Sequence, residues 1–168
     1  MNRHLSNKCL IIFITVTAVV LLDQATKAGI ASKMLLYDSS IIINGLLNIT
    51  HVRNPGAAFG FLSRAAPVFR SAFFILITVS AIGLIFYYIA MSKENEACLI
   101  FALSLILGGA AGNLIDRVRF GEVIDFIDVY WKTYHWPAFN VADAAISLGA
   151  CIMIFEMLRR KKKGAATP

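Results

Sequence analysis

The sequence predicts an all-α membrane protein with four transmembrane helices and a small extracytoplasmic β-hairpin or sheet. The 21 residues from Ser71 to Met91 carry no charged side chain, and neither do the 19 from Ala97 to Ile115. Each run approaches the roughly 20 apolar residues that a helix needs to cross a ~30 Å hydrocarbon core. The whole chain of 168 residues is 58% hydrophobic and only 15% charged. These runs are too long for a soluble domain of this size.

Four spans are predicted, separated by one short and two long connections. The spans cover about 9–30, 68–91, 97–115 and 138–158. The basic residues and apolar run at the N-terminus resemble a secretory signal peptide, but no small-x-small cleavage site follows the run. An uncleaved first span is therefore favoured. The long connections, 31–67 and 116–137, lie on one side of the membrane, and function is expected on such segments.

Basic residues set the predicted orientation. Five of the sixteen Lys and Arg residues form one run, Arg159–Lys163, directly after the fourth span. Since basic residues beside a span mark its cytoplasmic end, both termini are predicted to be cytoplasmic. The same run accounts for much of the net charge of +6 without a nucleic-acid partner. We expect a single integral-membrane domain over residues 1–163 and a short disordered tail, 164–168.

The first long connection carries a β-hairpin signal. Asn44-Gly45 stands between Ser40–Ile43 and Leu46–Val52, which are rich in β-branched and apolar residues. Asn-Gly in this setting favours a tight turn in which both turn positions need positive φ. A small sheet on the outer surface of the membrane follows.

Cysteine and histidine usage gives no sign of a metal site or a disulfide framework. Cys9, Cys98 and Cys151 are odd in number and each lies in an apolar stretch, so we predict small buried hydrophobic side chains. The three histidines have no ligand spacing. No cofactor is expected.

Carboxylates gather at one depth of the predicted bundle. Asp23 lies about 22 Å of helix beyond Lys8, and Asp143 about 24 Å before Arg159, at ~1.5 Å per residue. Both therefore lie just inside the outer edge of a ~30 Å core, and Asp116 is expected near the same level. A carboxylate at such a depth is costly and indicates a functional site.

Several of these residues also have a purely structural interpretation. Asp23 and Lys27 are four residues apart on one helix face, so they can pair and anchor the first span. Gly108 and Gly112 have the small-xxx-small spacing of tightly packed membrane helices. Asp116 can pair with the adjacent arginine or with neighbouring residues.

Asp125 and Asp143 are the candidate acid/base pair. Two adjacent carboxylates cannot both ionise cheaply, so one keeps a proton while the other acts as a base on a bound water. Spacing alone leaves Asp128 and Glu122 as competing acids. The ordinary structural explanations are a solvated loop acid for Asp125 and a cap at the start of the fourth span for Asp143. A small transporter whose aspartates relay protons is the alternative function. It would need polar residues through the full depth of the bundle, whereas Ser71–Met91 has few.

Together these residues resemble the lipoprotein signal peptidases (signal peptidase II) of bacteria, over nearly the whole chain. The similar blocks are Asp23-x-x-x-Lys27, Asn54-x-Gly56-x-x-Phe59-Gly60, Gly108-Gly109-x-x-Gly112-Asn113-x-x-Asp116-Arg117, Val123-x-Asp125-Phe126 and Phe139-Asn140-x-Ala142-Asp143. The resemblance implies a four-helix enzyme of the bacterial inner membrane, without metal or cofactor, whose active site is near the outer leaflet. We also expect a monomer.

The resemblance further implies that the substrates are prolipoproteins, cut just before a cysteine that carries diacylglycerol. It assigns catalysis to Asp125 and Asp143, with Asp128 as the rival of Asp125. It gives Asp23 and Lys27 a supporting role. The positions that line the site or hold the substrate main chain are Asn54, Gly56, Asn113, Asp116, Arg117 and Asn140.

Overall fold

Four long helices dominate the fold, as predicted. The computed structural model describes residues 3–56, 62, 65–93 and 96–165, and their side chains between 7 and 160. The helices are α1 (Arg3–Lys33), α2 (Pro67–Met91), α3 (Ala97–Phe120) and α4 (Val141–Ala165). Each contains a stretch long and apolar enough to cross a membrane.

The helix ends differ from the predicted spans for local reasons. Helix α3 continues past residue 115 and ends before Gly121, whose φ of 75° suits the left-handed position after a helix. Helix α4 begins at Val141 and not at 138, because the Asn140 side-chain oxygen accepts a hydrogen bond from the backbone of Asp143 at 2.9 Å. Helix α4 also continues through Ala165, which the sequence assigns to the tail. Residues 166–168 lie outside the described part of the chain.

Helix α3 is the centre of the bundle and contacts the other three helices. A Cβ atom on Gly108 would lie 2.9 Å from Cβ of Val19 on α1, and one on Gly112 would lie 2.6 Å from Oδ2 of Asp23. These glycines therefore allow α1 and α3 to pack closely, as their spacing predicts.

The three cysteines are exposed on the helix surfaces, so the prediction that they are buried is wrong. In a soluble protein an apolar side chain escapes water by burial in the core. In a membrane helix it can face lipid, which is as apolar as a protein core. Position in an apolar run therefore does not separate the two environments.

A four-stranded antiparallel sheet lies at the end of the bundle where α1 and α3 end. Its strands, in spatial order, are β1 (Ser39–Ile43), β2 (Leu47–Asn54), β3 (Val123–Trp131) and β4 (Tyr134–His135). The predicted hairpin is present as β1 and β2. Two further strands come from the second long connection, for which the sequence predicts no strand.

The two hairpins differ in the turn signal that their sequences carry. In the first turn only Gly45 has positive φ, and Leu46 N–H donates to Ile43 O at 3.1 Å, the pattern of a type II turn. The prediction of positive φ at both positions is therefore wrong for Asn44. In the second turn Lys132 takes a φ of 56° without any glycine to signal it.

Charged residues tie the helices together at the opposite end of the bundle. Lys8 Nζ donates to Ser92 O at 2.9 Å. Arg160 on α4 forms ion pairs with Glu96, just before α3, and with Glu156 on its own helix. The two residues 94–95 of the short connection lie outside the described ranges.

Candidate active site

A buried lysine is the hub of the polar residues at the sheet end of the bundle. Lys27 is 1% exposed. Its Nζ lies 2.8 Å from Oδ2 of Asp23 and 3.0 Å from Oδ2 of Asp116, and it donates to Oδ1 of Asn113 at 3.0 Å. These three contacts satisfy all three ammonium donors. The predicted pairing of Asp23 with Lys27 is confirmed, and Asp116 pairs with Lys27.

The two hub aspartates also hold backbone groups of other elements. Oδ1 of Asp23 accepts a hydrogen bond from the N–H of Ala142 at 2.9 Å, in the first turn of α4. Oδ2 of Asp116 accepts one from Ile124 N–H at 3.1 Å, in β3. A carboxylate at a helix N-terminus is stabilised by the unpaired N–H groups there. The hub therefore fixes α4 and β3 relative to α1 and α3.

Gln24 belongs to the hub, although no role is predicted for it. Its side-chain amide donates to Oδ1 of Asp116 at 3.0 Å and to Gly112 O and Oδ2 of Asp23, both at 3.2 Å. The sequence signal that could have identified Gln24 is its position as a polar residue inside a predicted span, directly after Asp23.

Asp125 is held by two asparagines. Oδ1 accepts a hydrogen bond from Asn140 at 2.7 Å, and Oδ2 accepts one from Asn54 at 2.8 Å. Asp125 pairs with Val52 across β2 and β3, so Asn54, two residues further along, is its diagonal neighbour on the same face. The side chain of Asp125 points into the protein and the residue is 2% exposed.

Asp143 is held beside Asp125 by the same asparagine. Its Oδ1 accepts a hydrogen bond from Asn113 at 2.8 Å, and its Oδ2 accepts one from the Asn140 backbone at 3.3 Å. Asn140 is fully buried and donates to Oδ1 of Asn113 as well. Asn140 thus contacts both candidate catalytic acids, and Asn113 links Asp143 to Lys27.

The electrostatics of this cluster favour a shared proton. Burial raises the pKa of the Asp125 carboxyl from 3.8 to about 7, and the neighbouring charge of Asp143 adds to the rise against the hydrogen bonds from Asn54 and Asn140. Near neutral pH one proton is therefore available between two adjacent carboxyl groups.

Arg117 lies close to the acids without pairing with one. Its guanidinium carbon is 5.6 Å from the centre of the Phe74 ring, and its charge acts on Asp143, Asp125 and Asp116. Its Nε is buried without a hydrogen-bond partner. Arg117 therefore places an unpaired buried donor and a positive charge beside the acids.

Phe74 also crowds Gly56, which has a φ of 97°. Both the conformation and the ring beside it require glycine at this position. The N–H of Gly56 donates to Oδ1 of Asn54 at 2.8 Å, so both the oxygen and the nitrogen of that side chain are hydrogen-bonded. Phe74 has no signal in the sequence that separates it from other apolar residues of its span. Phe59 and Gly60 of the same block lie outside the described residues.

The rival acids lie elsewhere. Asp128 accepts a hydrogen bond from Asn48 at 2.9 Å and pairs with His135 at 2.9 Å, on the opposite face of β3 from Asp125. Glu122 lies 3.8 Å from Arg70. Asp125, in contrast, shares Asn140 with Asp143 and is acted on by its charge, so Asp125 is the acid that the structure places with Asp143.

A crevice of about 290 Å³ gives access to Asp143. Its other walls are Trp136, Phe139, Ala144 and Ser147. The described residues contain no group of three or more His, Cys, Asp or Glu side chains that could hold a metal ion. The site therefore offers a carboxyl pair, amide donors, one free arginine donor and a mostly apolar approach.

Comparison with known proteins identifies relatives along almost the whole chain. A family model described as signal peptidase (SPase) II matches residues 15–159. A lipoprotein signal peptidase of Syntrophus aciditrophicus is 50% identical over 157 residues, 93% of this chain and 98% of that protein. One of Geobacter sulfurreducens is 51% identical over 146 residues, 87% of this chain and 90% of that protein.

A solved structure agrees with these sequence matches. A bacterial membrane enzyme determined by the in meso method superposes with a TM-score of 0.81 at 37% identity. The match covers 90% of each chain. The four-helix bundle and its sheet are therefore the fold of a membrane enzyme.

Proposed function

Because the chain belongs to the signal peptidase II family and is a multi-pass membrane peptidase, we propose that it is an aspartic endopeptidase acting on prolipoproteins. Asp125 and Asp143 are the catalytic pair. The observation that carries this proposal is their attachment to one buried residue, Asn140, which donates to Asp125 at 2.7 Å and to Asp143 at 3.3 Å.

The pair hydrolyses a peptide bond with one shared proton. The ionised carboxylate takes a proton from a water molecule, whose oxygen attacks the carbonyl carbon of the substrate. The protonated carboxyl donates its proton to the carbonyl oxygen. The tetrahedral intermediate then collapses: the acid that gained a proton passes it to the amide nitrogen, a hydroxyl of the intermediate returns its proton to the other carboxylate, and the C–N bond breaks. Both carboxyl groups return to their starting state.

The surrounding residues hold the pair and the substrate. Asn54, Asn113 and Asn140 orient the two carboxyl groups, and Lys27 with Asp23 and Asp116 fixes the elements that carry them. Because both polar groups of the Asn54 side chain bond within the protein, Asn54 acts on the substrate through Asp125. The positively charged Arg117 binds a carbonyl oxygen of the substrate, and Gly56 supports the site by donating its N–H to Asn54.

The proposed cleavage point is the bond before a cysteine that carries diacylglycerol. The mostly apolar crevice beside Asp143 suits a substrate that arrives through lipid and not through water. A dry site also strengthens every charge interaction of the pair. Residues 1–163 then form one peptidase domain in the bacterial inner membrane, active as a monomer. Both termini are cytoplasmic and the sheet lies on the outer side.

The substrate proposal is tested with the purified protein in lipid vesicles. A prolipoprotein is supplied with and without its diacylglyceryl group, and the products are identified by mass spectrometry. We expect a lipidated fragment that begins with the modified cysteine, together with the free signal peptide. Equal cleavage of the unmodified protein, or a cut at another bond, would contradict the proposed specificity.

A further inference from the structure

Three large aromatic side chains stand exposed on one short hairpin. Trp131, Tyr134 and Trp136 belong to the β3–β4 hairpin, and their exposed fractions are 71%, 78% and 67%, respectively. Isolated apolar residues on a surface are ordinary, but a group of exposed large aromatics marks a contact with another apolar surface.

The hairpin is a firm support for these side chains. The rings of Tyr130 and His135 stack at 5.0 Å with 9° between their planes, and His135 pairs with Asp128 behind them. The Tyr130 hydroxyl accepts a hydrogen bond from Gly45 N–H at 2.8 Å, which ties the hairpin to the neighbouring β1–β2 turn. The aromatic side chains are therefore presented in fixed positions.

Trp136 lies at the level of a membrane-spanning helix. It lines the same 290 Å³ crevice as Ala144 and Ser147, which are exposed residues of α4. Ser147 is about 9 Å along the helix axis from Val141, at ~1.5 Å per residue. One side of Trp136 therefore faces the outer surface of a helix that lies in lipid.

The rest of the hairpin continues this apolar surface. Leu46, Trp131, Tyr134 and Trp136 line a second groove of about 300 Å³. Lys132 Nζ lies 5.3 Å from the centre of the Trp131 ring, at the hairpin tip. Trp and Tyr with a flanking lysine form the composition found at the boundary between hydrocarbon and headgroups, where the rings are in the apolar layer and the polar atoms reach water.

We infer that the β3–β4 hairpin is an interfacial anchor, and that the partner of Trp131, Tyr134 and Trp136 is the phospholipid bilayer itself. Their surface is continuous with the lipid-facing side of α4, so the same bilayer that surrounds the helix reaches the hairpin. The anchor holds the sheet against the membrane at the end of the bundle where the acids lie. Trp136 lies deeper than Trp131, because only Trp136 borders α4.

The chain offers a direct measurement because Trp131 and Trp136 are its only two tryptophans. The full-length protein is placed in vesicles of phosphatidylcholine and phosphatidylglycerol, with bromine on an acyl carbon either near the headgroup or near the bilayer centre. Bromine quenches tryptophan emission only at close range. Trp131→Phe and Trp136→Phe leave one reporter each, and the aqueous quencher iodide serves as the opposite control.

We expect the shallow bromine to quench the wild-type emission about twofold more strongly than the deep bromine, as for a residue of the interfacial belt. The Trp131→Phe variant, which reports Trp136, should show less iodide quenching than the Trp136→Phe variant. Strong iodide quenching without bromolipid quenching would overturn the anchor, since the hairpin would then be in water. If neither iodide nor bromolipid quenched the emission, the anchor would also be overturned, since protein would then cover the hairpin. Neither result depends on peptide cleavage, so this proposal and the proposed function fail separately.

Discussion

Replacing Lys27 by glutamine is the sharpest test of the buried hub. The ammonium group holds Asp23 at 2.8 Å and Asp116 at 3.0 Å, and all three residues are at most 1% exposed. Glutamine retains a polar side chain but removes the charge. Two buried carboxylates then face each other without the ammonium group that pairs with both.

The expected loss follows from this geometry. Breaking a buried ion pair by removing one partner costs about 3–5 kcal/mol, because the remaining charge has no compensation. For a protein of this size, 1 kcal/mol corresponds to about 2–4 °C in Tm. We therefore expect Lys27→Gln to lower the Tm by about 6–20 °C.

The assay is thermal unfolding in one detergent, followed by intrinsic fluorescence. Lys33→Gln is the matched control, because Lys33 is an exposed lysine at the end of the same helix, and such surface changes stay within about 0.5 kcal/mol. The double variant Lys27→Gln/Asp23→Asn should be more stable than the sum of the single losses predicts, since it removes one of the uncompensated charges. Equal Tm values for Lys27→Gln and Lys33→Gln would refute the reasoning.

Three further predictions concern the site and the helix packing. The raised pKa of Asp125 gives a contribution to stability that is complete below pH 3.8 and is lost as the pH rises through about 7. The Tm of the wild type should therefore fall over this range more than that of Asp125→Asn, and parallel curves would contradict it. Gly112→Ala places a Cβ 2.6 Å from a hub carboxylate oxygen and should cost about 1–3 kcal/mol in thermal unfolding. Gly83→Ala, with no atom within 4 Å of the new Cβ, should instead stabilise, and a similar loss in both would argue against the packing explanation. Asn140→Ala should lower kcat about a hundredfold in a cleavage assay, because the Asp125 carboxyl loses its side-chain donor and the backbone of Asp143 loses its cap, whereas Asn44→Ala in the exposed turn should keep the wild-type rate. Unchanged kcat in Asn140→Ala would exclude this positioning role.

The helices and their buried polar layer were predictable because a bilayer imposes simple rules on a sequence. A span needs a long apolar run, and residues four apart share a face, so Asp23 and Lys27 could be paired from their spacing. Counting helix rise from the basic ends placed Asp23 and Asp143 at one level. The contacts of Asp23 with the first turn of α4 confirm that level.

The sheet beyond its first hairpin could not be predicted in the same way. The pairing of β2 with β3 joins distant parts of the chain, and the turn at Lys132 has no glycine. Asp125 and Asp128 are three residues apart on one strand, so they point to opposite faces. Only the strand register tells which of them faces the helices. The hydrogen bond from Asn140 to Asp125 depends on the same register, because it forms only when Asp125 faces the helices.

The central claim is that Asp125 and Asp143 act together in peptide hydrolysis. The most direct test is a gel-shift assay on diacylglyceryl-modified prolipoprotein with wild type, Asp125→Asn, Asp143→Asn and the matched control Asp128→Asn, at equal concentrations of folded protein. We predict cleavage by the wild type and by Asp128→Asn, and none by the other two variants. Cleavage that survives in Asp125→Asn or in Asp143→Asn would contradict the pair, and its loss in Asp128→Asn alone would move the second acid to the outer face of β3.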